Sequence, residues 1–147
     1  MLVKMEKTQL SMWYCLKTKG KFCISRVLTS FRWWAGIGWQ AIMLPHERKA
    51  WSDETGAITL PTKEHYRLPT VDDYQDLDSS ETSVTGDFEW VDEWEIDYQW
   101  SDADTEGWTY CNQRWDNPRS YRVMNSFTRR RKWVRHMKLV PLLNKEE

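Results

Sequence analysis

Two stretches of the chain alternate in polarity with a period of two. In the first, Phe88, Trp90, Trp94, Ile96, Tyr98 and Trp100 share one parity, interrupted by Asp92. Glu89, Val91, Glu93, Glu95, Asp97 and Gln99 share the other. This spacing predicts a long strand over Phe88–Trp100 with an aromatic face and an acidic face; a helix would scatter the tryptophans around its axis. The second stretch is Phe127–Leu139. Phe127, Arg129, Arg131, Trp133, Arg135, Met137 and Leu139 fall on one face, and Thr128, Arg130, Lys132, Val134, His136 and Lys138 on the other.

The remaining segments read as shorter elements. Trp13–Leu28 predicts a hairpin around the turn Lys17-Thr18-Lys19-Gly20-Lys21. Phe31–Leu44 predicts continued strand, with Gly36 and Gly38 marking a bulge or a close backbone approach, stopped by Pro45. Trp51-Ser52-Asp53-Glu54-Thr55-Gly56 predicts a turn in which Asp53 caps backbone N–H groups. Ser101–Gly107 is a polar turn, and Trp108–Cys111 starts the returning strand. Thr70–Asp87 is acidic, rich in Ser and Thr and poor in apolar residues, so a mobile loop is expected there. The fold class that follows is all-β: an antiparallel β-sandwich with long strands and one acidic loop insertion. The expected domain organisation is a flexible arm over 1–11, one domain over 12–140 and a tail over 141–147.

Composition sharpens this. Eleven Trp in 147 residues require a packing scheme for large rings that each carry one N–H. The face of Phe127–Leu139 that carries Arg129, Arg131 and Arg135 supplies one. A lone arginine in an apolar row is costly to bury, whereas a guanidinium lying flat on an indole is stabilised, more so when desolvated. Trp90, Trp94, Trp108, Arg129, Arg131, Trp133 and Arg135 are therefore assigned to structural stacking. Net charge is −1, but between Arg67 and Arg114 there are fourteen Asp and Glu and no Lys or Arg. Arg114–Lys138 holds nine Lys and Arg with Asp116 as its one acid. The acidic and basic strand faces are expected to pair with each other inside the sheet, which argues against nucleic acid as a partner despite the basic, Trp-containing run Arg129–Arg135.

Candidate chemistry is sparse. Glu89, Glu93, Glu95 and Asp97 have the carboxylates of an acid/base pair, but a paired or solvated strand face accounts for them. His46, His65 and His136 are scattered, and no Gly-rich phosphate loop occurs. Asp102, Asp104 and Glu106 alternate ahead of Gly107 like a calcium loop, yet Gln113 stands where such a loop needs Glu. Cys15, Cys23 and Cys111 are odd in number and lack a CxxC, which speaks against a disulfide framework or zinc. No enzyme activity, cofactor or metal is expected. No signal peptide and no apolar run of transmembrane length is read from the sequence.

Trp51-Ser52-Asp53, Phe88-Glu89-Trp90 with Trp94, Gly107-Trp108-Thr109-Tyr110 and Arg129-Arg130-Arg131-Lys132-Trp133-Val134-Arg135, in this order, resemble the dysferlin (DysF) domain. The resemblance covers roughly Phe31 to Lys138. Such domains occur in ferlins, in peroxins, in a tectonin-repeat autophagy protein and in short fungal sporulation proteins; the last are closest in size. The resemblance implies an antiparallel β fold with stacked Arg and Trp and a non-catalytic role in membrane biology, including peroxisomal and spore-membrane processes.

Within that frame the loop before the basic strand is the candidate lipid-binding element. Arg114, Trp115, Arg119, Tyr121, Arg122, Val123 and Met124 place apolar tips among cations, a composition suited to lipid headgroups. The expected function is a membrane-associated adaptor that binds phospholipid or sphingolipid and acts in membrane remodelling such as spore-membrane extension. The alternative is a protein–protein scaffold whose partner holds the membrane. The expected location is cytoplasmic, peripheral at the spore-enclosing membrane, endoplasmic reticulum or endolysosome.

Overall fold

The computed structural model describes residues 23–69 and 86–141. The N-terminal arm, most of the Trp13–Leu28 hairpin, most of the acidic loop and nearly all of the C-terminal tail lie outside the described residues. Seven strands and no helix occupy the described segments: β1 (Cys23–Trp34), β2 (Gly38–Gln40), β3 (Trp51–Ser52), β4 (Gly86–Trp90), β5 (Glu95–Ile96), β6 (Thr109–Cys111) and β7 (Thr128–Pro141). The fold is all-β, and the registers below are all antiparallel.

The chain clusters into two compact units. The larger is built from Arg26–Tyr66 and Trp94–Val134. In it the sheet runs β2-β1-β7, with β3 on β1 and both β5 and β6 on β7. Val27 and Thr29 are buried on one parity of β1, and Leu28, Ser30 and Arg32 on the other, so protein covers both faces of this strand. The expected continuous strand over Phe31–Leu44 is instead a hairpin. Gly36 (φ +86°) and Gly38 (φ +80°) take the left-handed conformations of a tight reversal, which side chains with a Cβ rarely adopt. Trp33 then faces Trp39 across β1 and β2.

In the second unit β4 pairs with the last residues of β7, placing Phe88 opposite Leu139, Glu89 opposite Lys138 and Trp90 opposite Met137. Phe88 and Met137 are buried, and each contributes roughly 1.5–3 kcal/mol through the apolar surface it removes from water. The Ser25 hydroxyl reaches the Met137 sulfur at 4.0 Å.

The thirteen-residue strand expected over Phe88–Trp100 is broken. Trp90 pairs with Met137 and Glu95 with Val134, so five steps on one strand oppose three on β7. The two extra residues form a bulge. Asp92, the residue that interrupted the aromatic parity, explains it. Its Oδ1 accepts the His136 backbone N–H at 2.8 Å, and its Oδ2 lies 2.6 Å from His136 Nδ1. A side chain has taken over a ladder position. The chain then turns, and Tyr98 is left exposed.

The pairing expected between acidic and basic faces is partial. Lys132 Nζ approaches Glu54 at 3.3 Å and Asp97 at 3.7 Å. Arg130 instead lies over the Trp100 ring at 5.2 Å, and Glu93 contacts Arg135 at 3.5 Å while remaining almost fully exposed.

Candidate functional site

One face of the larger unit carries an alternating row of cations and indoles. Lys63 Nζ lies 4.8 Å from the Trp133 ring, and the Arg131 guanidinium lies between Trp133 at 4.8 Å and Trp108 at 4.3 Å. Arg129 follows, between Trp108 at 4.0 Å and Trp39 at 4.7 Å, with Phe31 at 5.5 Å. Arg122 ends the row, 5.5 Å from Trp39 and 4.0 Å from Trp33. Period-two spacing on β7 supplies Arg129, Arg131 and Trp133; β1 supplies Phe31 and Trp33, β2 supplies Trp39, and Lys63, Trp108 and Arg122 come from loops. The Nε atoms of Arg129 and Arg131 are buried without a hydrogen-bond partner among the described residues, and the ring faces are their counterpart. Burial lowers the pKa of both guanidinia, while Tyr110 partly offsets this for Arg129. Arg135 makes the corresponding contact in the other unit, 4.2 Å over Trp90, and its Nε donates to the Asp92 carbonyl at 2.6 Å. Trp94 meets Tyr66 edge-on at 5.3 Å.

The loop after β6 is fixed at both ends. Asn112 Oδ1 accepts the N–H groups of Arg114 and Asp116, and Tyr110 and Arg119 exchange two backbone hydrogen bonds of 2.8 Å. Trp115 (φ +65°) and Asn117 (φ +57°) take left-handed conformations, and for the bulky Trp115 that backbone is strained. The strain is held by contacts. The Trp115 indole N–H donates to Glu47 Oε1 at 2.9 Å, and the Arg48 guanidinium lies 4.5 Å over its ring. Glu47 also pairs with Arg32 in a two-point contact, Arg32 Nε lying 3.0 Å from Oε2, and its Oε2 accepts the Leu44 N–H at 2.7 Å. A single carboxylate therefore ties together β1, the segment after β2 and the Trp115 loop.

Among the candidate lipid-binding residues, Trp115 and Arg122 engage the protein body, and Val123 is half-buried. Arg114, Arg119, Tyr121, Arg122 and Met124 are exposed, Met124 at 99%. Arg119 Nη1 donates to the Tyr121 hydroxyl at 3.2 Å. Sequence reasoning missed Glu47, Arg48, Lys63 and Trp39. Nothing local marks them, because their partners lie far away in sequence. It also passed over the exposed Ile37 and Ile42, whose apolar surroundings read as buried strand.

The polar turn after β5 is built on Asp104. Its Oδ1 accepts the Glu106 and Trp108 N–H groups, and Tyr110 donates its hydroxyl to Oδ2 at 2.8 Å. Burial and this hydrogen bond raise the Tyr110 pKa. The turn seats Trp108 between Arg129 and Arg131, which gives it a structural use.

A family model described as Pex24p, integral peroxisomal membrane peroxin, matches residues 6–135. Peroxisomal membrane protein PEX32 of Ogataea parapolymorpha is 29% identical over 117 residues, covering 79% of this chain and 30% of its own length. Peroxisomal membrane protein PEX30 of Saccharomyces cerevisiae is 31% identical over 125 residues, 74% of this chain and 22% of its own. Tectonin beta-propeller repeat-containing protein 1 of Gallus gallus is 33% identical over 113 residues, 74% of this chain and 8% of its own. The chain thus spans less than a third of the length of these curated relatives.

Proposed function

The chain belongs to the Pex24p family of integral peroxisomal membrane peroxins, and on that footing we propose that it works without catalysis at an intracellular membrane, contacting lipid through the Arg114–Met124 loop. The observation that carries this reading is the exposure of Met124 and Tyr121 beside Arg114 and Arg119, on a loop whose backbone is fixed. A thioether and a phenol standing clear of the body, with cations alongside, match the apolar and anionic layers of a headgroup region. Among the described residues no helix is long and apolar enough to cross a membrane, and the reading needs none. Trp115 and Arg122 hold the loop in shape, while Arg114, Arg119, Tyr121 and Met124 make the contact. The names of the relatives favour the peroxisomal membrane over the spore-enclosing membrane.

The test is flotation of the purified chain with phospholipid vesicles, comparing wild type with Tyr121→Ser/Met124→Ser. The expected result is binding by the wild type, and loss of binding with an unchanged unfolding temperature in the variant. Equal flotation of both, or none by a folded wild type, overturns the lipid reading; the latter outcome assigns the membrane contact to a protein partner. Co-localisation of a tagged chain with a peroxisomal marker tests the organelle.

A further inference from the structure

The β1–β2 hairpin ends in an exposed apolar tip that the Arg114–Met124 loop does not include. Ile37 sits in the turn at 61% exposure, and Ile42 and Leu44 follow at 57% and 43%. Consecutive tryptophans on β1 determine what lies beside that tip. Trp34 donates its indole N–H to the Ile42 carbonyl at 2.8 Å, which pins the segment after β2 to the end of the hairpin. Gln40 Nε2 donates to the Ile37 carbonyl at 3.0 Å, bracing the turn itself. Trp33, of opposite parity, holds Arg122 at 4.0 Å, and its backbone N–H donates to the Phe127 carbonyl at 2.8 Å. The segment bearing Tyr121 and Met124 is therefore docked on the other side of the same hairpin. Glu47 links the two flanks, since its carboxylate accepts from both Leu44 N–H and the Trp115 indole.

We infer that Ile37, Ile42, Tyr121 and Met124 form one membrane-contacting surface at the hairpin end of the larger unit, whose occupant is a bilayer bearing anionic lipid. The inference rests on the lipid reading above and adds a second insertion element to it. Charge selects the occupant. No Asp or Glu occurs between Glu6 and Glu47, nor between Asp116 and Glu146. The Arg114–Met124 loop therefore carries Arg114, Arg119 and Arg122 against Asp116 as its one acid, and Trp34–Leu44 carries no charged residue at all. The nearest carboxylate by contact, Glu47, is neutralised by Arg32 and has its side chain 9% exposed. An apolar surface bordered by a loop of net positive charge is attracted to a negative surface and then gains by burying its alkyl groups.

The experiment is vesicle co-sedimentation of the full chain with phosphatidylcholine vesicles, with and without phosphatidylserine. Wild type is compared with Ile37→Ser/Ile42→Ser and, in case the pair perturbs the hairpin, with Ile37→Ser alone; the unfolding temperature is measured for each. The inference expects binding that requires phosphatidylserine. It also expects a loss of affinity on the order of tenfold or more in the double variant and a smaller loss in Ile37→Ser. Wild-type binding that survives both substitutions overturns the hairpin element and leaves the Arg114–Met124 reading intact. Equal binding without phosphatidylserine overturns the choice of occupant. No binding by folded wild type overturns both readings together.

Discussion

Arg32 and Glu47 form an ion pair with each side chain 9% exposed, and the same carboxylate receives the Trp115 indole N–H at 2.9 Å. Removing one member leaves the other charged, desolvated and unpaired. Glu47→Ala or Arg32→Ala is expected to cost about 3–5 kcal/mol, whereas Arg32→Met/Glu47→Leu costs much less than the sum of the singles. Urea titration of the four proteins checks this. Additive losses would remove Glu47 from its central position.

Arg131 lies between Trp108 and Trp133. Arg131→Ala should lower stability by about 1–2 kcal/mol, a few degrees in Tm, and Arg131→Lys should recover only part of it, because an ammonium cannot lie flat against two rings. A variant of wild-type stability that merely lost vesicle binding would make this arginine functional instead.

Gly107 has φ +88°, and a Cβ placed on it would collide with Ile96 Cγ2. Gly107→Ala therefore meets both backbone strain and a clash, and the expected loss exceeds about 1 kcal/mol. Adding Ile96→Ala relieves the clash and leaves the strain. The double variant should accordingly destabilise by less than the two single losses combined, which chemical denaturation resolves.

Burial by itself would raise the Asp92 carboxyl pKa. The hydrogen bonds from His136 N–H and its ring, with the charges of His136 and Arg135, take it below the ordinary value. A carboxyl lowered on folding adds stability that is present above its unfolded pKa and fades as pH falls through the folded one. Wild type should accordingly be more stable than Asp92→Asn at neutral pH. The gap should close below about pH 4, where the unfolded carboxyl begins to take up protons. Parallel denaturation curves down the pH series decide it: a gap that widens on acidification would reverse the sign.

How far the sequence announces this structure depends on the distance over which each feature is written. Alternation along β7 is a property of neighbouring residues, and it places Arg129, Arg131 and Arg135 on one face before any fold is known. The same rule applied to Phe88–Trp100 runs through a break, because the Asp92 side chain competes with the backbone for the His136 N–H. That competition involves a residue 44 positions away. Gly36 and Gly38 signal an irregularity, but positive φ at both is what turns a bulge into a hairpin. The candidate site was less legible. Composition singles out Arg114–Met124, yet the contacts that separate Trp115 and Arg122 from Tyr121 and Met124 come from Glu47, Arg48, Trp33 and Trp39. Those residues carry no local signature.

The cation–indole row also has a consequence for the chain before it folds. A strand that contributes to packing with arginines offers no long uninterrupted greasy window: Thr128–Lys138 carries six positive side chains in eleven residues. Segments that nucleate fibrils combine high β-propensity with low charge, and this one forms a long strand while carrying a high charge. Outside the native stack these guanidinia repel the same segment of another copy; inside it they are matched by rings from elsewhere in the chain. The row therefore acts as a gatekeeper as well as a scaffold, since pairing of the wrong strands brings like charges together without the aromatic faces that make their burial tolerable.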